Sequence, residues 1–306
     1  MNTKKNKFSE RTSKTFQCYG ILSTQLIGFV LFSLYPMLWA MHKAFFYYDG
    51  TPSLTRFVGL DNFIKIFTTD AAYWKTWAHT FMFAVGKLPI ELPFAMLIAV
   101  CLRSKIKGTG FFRTMYYLPC VIGAAIVGLI ITNIFDYFGF INAWLLRLGI
   151  IKKNIAWFSN TGTAWAALII GAVWNTFGTN VLYFLAAMSN IPEELYESAR
   201  LEGASPWKTF VNITLPMMSP VLQTILLLSL NGTIQTSDYI LTTTNGAPAG
   251  STYTVMSYIV GKFVPGFAET NVNIGYGCAM AMLTSIGMII IAIIYTKLTK
   301  HMQELY

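Results

Sequence analysis

The chain has 306 residues, of which 55% are apolar and only 11% charged. That is less than half of the roughly 25% charge content usual in globular chains. With a mean hydropathy of +0.52, it excludes the two soluble domains that length alone would allow and points to an integral membrane protein. The net charge of +9 fits either nucleic-acid binding or membrane topology, and its distribution along the chain decides between them. Cys18, Cys101, Cys120 and Cys278 show no paired metal-ligand spacing. They read as packing thiols, since buried Cys behaves as a small hydrophobe.

A bilayer core of about 30 Å needs roughly 20 apolar residues per helix. Six runs qualify: 18–41, 77–102, 111–135, 163–188, 217–241 and 274–298. The tail 1–17 carries five cations, Lys4, Lys5, Lys7, Arg11 and Lys14. The first run is too long for a signal-peptide core, and no small-residue cleavage pattern follows it. It is therefore expected to remain in the mature chain. The second run holds Lys87 and Glu91, i,i+4 neighbours, with prolines at 89 and 93 that free backbone groups and favour a kink. An ion pair is the natural reading, because either charge alone in hydrocarbon costs several kcal/mol; a proton relay is the alternative. The short loop 103–113 carries Arg103, Lys105, Lys107 and Arg113 and no acid. The fourth run mixes aromatic and amide groups at Trp174, Asn175 and Tyr183.

The stretch 189–215 is far longer than the 2–8 residues that usually join neighbouring helices. Pro192 opens a helix whose first turn holds Glu193 and Glu194, where the dipole favours anions. Leu195 and Ala199 form a small apolar stripe, and Gly203 stops the helix. Ser205-Pro206 reads as an N-cap and first helical residue, predicting a second short helix to about Thr214, before Pro216. Two short helices with a glycine joint, lying along the membrane surface, make a protruding knob suited to docking a soluble partner. The fifth run ends in polar groups: Asn231, Gln235 and Asp238, at i, i+4 and i+7, share a face if the helix is continuous. That face either lines a solute pathway or bonds neighbouring helices.

The tail, the loop 103–113, the stretch 189–215 and the C-terminal end together carry 13 Lys and Arg, against 8 on the intervening loops. The positive-inside rule then places both termini in the cytoplasm. Topology and lipid headgroups account for the basic charge, and nucleic acid is not required. No G-x-x-x-x-G-K-[ST] occurs, so the chain itself is not expected to bind ATP. His42, His79 and His301 form no metal motif, and no G-x-S-x-G elbow is present. Hydrolase and metalloprotease chemistry has nothing to stand on.

Glu197-Ser198-Ala199-Arg200-Leu201-Glu202-Gly203, nine residues, then Ile213-Thr214-Leu215-Pro216 resembles the EAA loop of the permeases of binding-protein-dependent ABC importers. That loop is written E-A-A, three residues, G, nine residues, I-x-L-P. Ser198 replaces a family Ala, and Glu202 the commoner Asp; one stays small and the other keeps its charge. Further segments are similar to the carbohydrate branch of that family, which includes the maltose, glycerol-phosphate and multiple-sugar permeases. They are Phe57-Val58-Gly59-Leu60-Asp61-Asn62-Phe63, Phe112-Arg113 through Leu118-Pro119, Asn190 through Tyr196, and Asp238-Tyr239-Ile240-Leu241-Thr242. Asn245-Gly246-Ala247-Pro248 departs from the family's usual Gly-Gly-Pro.

The resemblance implies an all-α, six-helix type I importer domain over 18–306 behind a cytoplasmic tail, in a bacterial cell membrane. It implies a second homologous permease, a separate ABC ATPase dimer that binds ATP and Mg, and an extracytoplasmic solute-binding protein. No cofactor belongs to the chain itself. Coupling falls to Glu197, Ala199, Glu202, Gly203, Ala204, Ile213, Leu215 and Pro216. Trp174, Asn175, Tyr183, Asn231, Gln235 and Asp238 become candidates for a sugar pathway, with Trp and Tyr stacking on pyranose faces or simply anchoring the membrane interface. Three rivals stay open: an ion-coupled carrier using Lys87, Glu91 and Asp238; a structural membrane subunit; and ABC uptake of a glycerophosphodiester or peptide-like solute.

Overall fold

The computed structural model describes residues 17–103, 108–261 and 272–303. The basic N-terminal tail, Lys105, Lys107 and Lys262 lie outside them.

Helix α1 runs from Gln17 to Lys43, and its most apolar stretch buries no residue against the rest of the chain. A π turn at Val30–Leu34, closed by the Tyr35 amide on the Val30 carbonyl, sits just before Pro36. Proline lacks an N–H and its ring crowds the carbonyl four residues back, so a widened turn relieves both problems. A two-residue ladder follows, β1 (Phe46–Tyr47) antiparallel to β2 (Arg56–Phe57). Asn62, at the start of α2 (Asp61–Thr68), is buried and donates to the carbonyls of Ala44 and Phe46 at 2.8 and 3.0 Å. The asparagine of the Phe57–Phe63 signature thus fastens the turn that leaves the first span.

Helix α3 (Ala71–Arg103) has 33 residues, about 50 Å at 1.5 Å per residue, and runs through Pro89 and Pro93. It starts before the expected residue 77 because the Asp70 carboxylate accepts the Tyr73 amide at 3.0 Å and caps it. The expected third span is not one helix. It divides into α4 (Thr109–Val121) and α5 (Ala124–Ile134), bent by 96° at Ile122-Gly123. Neither half is long enough to cross a bilayer alone. Short helix α6 (Phe140–Arg147) precedes α7 (Thr161–Ser189), which lies along α3.

Helix α8 (Glu193–Leu201) comes next. The expected second short helix does not end before Pro216. Instead α9 runs from Pro206 to Ile234 as one helix, passing its proline through another π turn at Phe210–Thr214. The fifth span ends at Ile234, seven residues earlier than expected, and α10 (Asp238–Thr243) follows a break. Helices α11 (Val255–Val260) and α12 (Ile274–Gln303) complete the described chain. Among the described residues, five helices are long and apolar enough to cross a membrane, six when α4 and α5 count as one span.

Three apolar clusters hold these elements together. Ala95 and Ala99 of α3, Phe177, Val181 and Phe184 of α7, and Met218 and Ile225 of α9 form one. Phe83 of α3, Val127 and Ile131 of α5, Leu168 of α7, and Tyr239 and Ile240 of α10 form another. The third joins the end of α1 and α2 to α3, α11 and α12. Close approach needs small residues where helices cross: a Cβ at Gly178 would collide with the Tyr116 carbonyl of α4.

Candidate functional site

Helix α8 ends in two backbone bonds that close a Schellman cap. The Gly203 amide donates to Arg200 and the Ala204 amide to Ala199, at 3.1 and 2.9 Å. Gly203 has φ +75°, a left-handed conformation that glycine adopts without steric penalty. Ser205 then caps α9, its hydroxyl accepting the Lys208 amide at 3.4 Å, and Pro206 takes the first turn. The joint projects: Leu201 is 90% and Trp207 72% exposed, while an added Cβ at Gly203 would meet nothing within 4 Å. Glu197 and Glu202 also face outward, as do Leu215 and Pro216; Ala204 and Ile213 are half-buried. The inner face of α8 is Tyr196 and Ala199, both buried; Leu195, expected on that stripe, is exposed.

The root of this knob is a second constellation, one that sequence reading did not single out. The Arg103 guanidinium, in the last turn of α3, lies 3.8 Å from the centroid of the Tyr196 ring and 3.5 Å from Glu193. The Tyr196 hydroxyl shares a buried 3.0 Å hydrogen bond with Thr214 Oγ1 in the π turn of α9. A cavity of about 270 Å³ under the loop is lined by Arg103, Tyr196, Arg200, Phe210 and Thr214.

Midway along α3 lies a buried polar network. Lys87 and Glu91 are 4% and 1% exposed, and Lys87 Nζ is 3.2 Å from Glu91 Oε2. Glu91 Oε1 accepts from Thr176 Oγ1 at 2.6 Å and Asn180 Nδ2 at 2.8 Å, both on α7. Lys87 donates to Thr233 Oγ1 on α9 at 3.2 Å, and Ser229 of α9 donates to Asn180 Oδ1 at 3.1 Å. Three spans are tied by one ion pair and its hydrogen bonds. Thr176/Asn180 and Ser229/Thr233 are each i,i+4 pairs, which is the signal available in the sequence. Asp238 is not among the partners of the pair; its carboxylate accepts from its neighbour Ser237 at 3.1 Å.

The proposed stripe Asn231, Gln235 and Asp238 does not form. Gln235 is the C-cap of α9 and Asp238 opens α10, so the i+7 relation crosses a break. Asn231 and Gln235 do meet, with Thr284 and Ser285 of α12, in an open groove of about 570 Å³. On α7, Trp174 and Tyr183 are nine residues apart, half a turn out of phase, and therefore face opposite ways. Asn175 donates to the Pro119 carbonyl at 2.7 Å, supplying a partner that the break after α4 removes. Its amide is occupied structurally.

The profile of the family described as "Binding-protein-dependent transport system inner membrane component" matches residues 91–304. The chain is 35% identical to the probable ABC transporter permease protein YesP of Bacillus subtilis (strain 168), over 91% of this chain and 89% of that one. It is 33% identical to the lactose transport system permease protein LacF of Rhizobium radiobacter, over 78% and 81%. Its fold is similar to a chain of a bacterial alginate ABC transporter, solved in complex with an alginate pentasaccharide-bound periplasmic protein. There the TM-score is 0.76 and the identity 21%, covering 96% of each chain.

Proposed function

We propose that this chain, which belongs to the family of binding-protein-dependent transport system inner membrane components, takes up a sugar or oligosaccharide as the membrane-spanning subunit of an ABC importer. A second homologous permease, an ABC ATPase dimer and an extracytoplasmic solute-binding protein complete the machine. Two similar proteins support the carbohydrate assignment: the lactose transport system permease protein of Rhizobium radiobacter and the alginate transporter solved with a pentasaccharide-bound periplasmic protein.

The observation that carries the reading is the knob at 193–216. Leu201 and Trp207, apolar and largely exposed, flank a left-handed glycine joint within the E-A-A…G…I-x-L-P spacing. An apolar protrusion beyond the spans is a docking surface, and a cleft in the ATPase is its natural seat. Closure of the ATPase dimer on ATP pulls the knob, the helices rock, and the pathway opens outward to receive solute. Hydrolysis returns the inward-facing state. ATP and Mg are bound by the partner, and this chain converts ATPase movement into gate movement. The groove carrying Asn231 and Gln235 is the proposed solute-facing wall, its amides donating to and accepting from sugar hydroxyls.

Purification from the native membrane in mild detergent tests the assignment. Co-purification of an ABC ATPase, a second permease and a binding protein is expected, and titration of that binding protein with glycans names the solute. The chain emerging alone, while other membrane complexes survive, would overturn it. Replacing Gly203 by Trp probes the docking surface. The left-handed backbone costs a non-glycine residue about 1–2 kcal/mol, too little to block insertion, while the indole projects into the seat. Uptake should fall at least about tenfold with membrane levels unchanged; normal transport by that variant counts against the knob.

A further inference from the structure

We infer that Arg103, Tyr196 and Thr214 form a clasp that carries movement of the knob into α3 and α9, with Tyr196 as its positioning residue. The inference rests on the reading of the knob as the ATPase-docking element. Along the chain, α8 is attached only through short joints. Residues 190–192 lead into it from α7, and the left-handed Gly203 leads out to α9. Such joints let a helix of nine residues tilt on its own. Side chains remove that freedom. The Tyr196 ring, 6% exposed, holds the guanidinium at the end of α3, and its hydroxyl holds the widened turn of α9. Glu193, in the first turn of α8, steadies the same guanidinium, each charge at the helix end whose dipole favours it. One tyrosine therefore touches both spans that must move when the knob moves. Displacing α8 alone would break a buried hydrogen bond and slide a planar cation off its ring. Arginine suits the position because its flat guanidinium stacks and pairs at once, which an ammonium does not do.

The experiment uses the purified complex with its ATPase, in a background lacking Cys18, Cys101, Cys120 and Cys278 and carrying Asn231→Cys in the groove. The probe is fluorescein maleimide, and its labelling rate is read with and without vanadate, which traps ADP in the ATPase after ATP is hydrolysed. With the clasp intact, trapping should change the rate about tenfold or more. Arg103→Gln should bring the change within about twofold while vanadate is still trapped and the ATPase still co-purifies. Arg103→Lys should restore little. Tyr196→Phe keeps the ring and its volume, and so keeps the test open if Arg103→Gln does not assemble. It should weaken the response about threefold, and adding Thr214→Val should weaken it no further, because both remove the same bond. A full response in Arg103→Gln, Arg103→Lys and Tyr196→Phe would overturn the clasp alone. An intact-clasp complex that traps no vanadate, or traps it without a rate change, would overturn the coupling reading beneath it.

Discussion

Glu91 is almost fully buried inside an apolar span, and its carboxylate is divided between two tasks. Oε1 accepts from Thr176 and Asn180, while Oε2 has the Lys87 ammonium beside it as its counter-ion. Removing one member of such a pair strands the other charge. Lys87→Met is expected to destabilise the fold by about 3–5 kcal/mol, read as a lower thermal unfolding midpoint in detergent. The double variant Lys87→Met, Glu91→Gln should recover most of that loss. The amide of the new glutamine can still accept from Thr176, and no charge remains to be balanced. A double variant as unstable as the single one would mean that the ion pair itself, rather than its neutrality, holds α3, α7 and α9 together. The pair was legible in the sequence because i,i+4 spacing acts within one helix. Its partners were not, since spacing names a helix face without naming the helix it meets.

Elements tell the same story on a larger scale. Hydrophobic runs marked the long apolar helices among the described residues, and Gly203, Ser205 and Pro206 marked the knob's joint, because caps and left-handed turns are local chemistry. Continuity was the weak point. A run of apolar residues carries no information about direction, so 111–135 read as one helix although it turns through 96° at Ile122-Gly123. Pro119 contributes by ending in a carbonyl that the next turn cannot reach, and Asn175 of α7 reaches it instead. Asn175→Leu, branched alike but unable to donate, is therefore expected to leave that carbonyl unsatisfied and to cost about 1–3 kcal/mol. Its unfolding midpoint should fall, whereas Trp174→Leu on the neighbouring, more exposed position should change it little. Equal effects would remove the amide's special role. The opposite error came at 206–214, where Pro216 suggested a stop. Tertiary packing of Met218 and Ile225 continues the helix, and the π turn at Phe210–Thr214 absorbs the proline. The pathway stripe failed for a related reason: Ser237 leaves the helical region with φ −125°, and the i+7 relation ends there.

For the molecule as a whole, the contacts sort the connections into two groups. The end of α3 meets α8 through Arg103, Glu193 and Tyr196, so the loop after the second span and the knob share one end of the bundle. Far along the same helix, Thr80 near the start of α3 accepts the Val255 amide, and His79 lies 3.2 Å from the Tyr253 carbonyl. The segment between α10 and α11 therefore belongs to the opposite end. Thr161, at the start of α7, reaches the same segment through a 3.0 Å bond with Ser251, which brings the α6–α7 connection to that end too. Counted along the sequence, the excess of Lys and Arg lies on the tail, the loop 103–113, the stretch 189–215 and the C-terminal end, so the positive-inside rule predicts that the knob's end faces the cytoplasm. Two single-cysteine variants in a background lacking the four native cysteines can check this. Phe138→Cys, at a position 84% exposed beside α6, should react with a membrane-impermeant maleimide in intact spheroplasts. Trp207→Cys, on the knob, should react only after permeabilisation. The two positions lie at opposite ends of the bundle, so both reacting in intact cells would break the packing argument. A clean reversal would keep the fold and invert its orientation, leaving the knob on the side where no ATP is found.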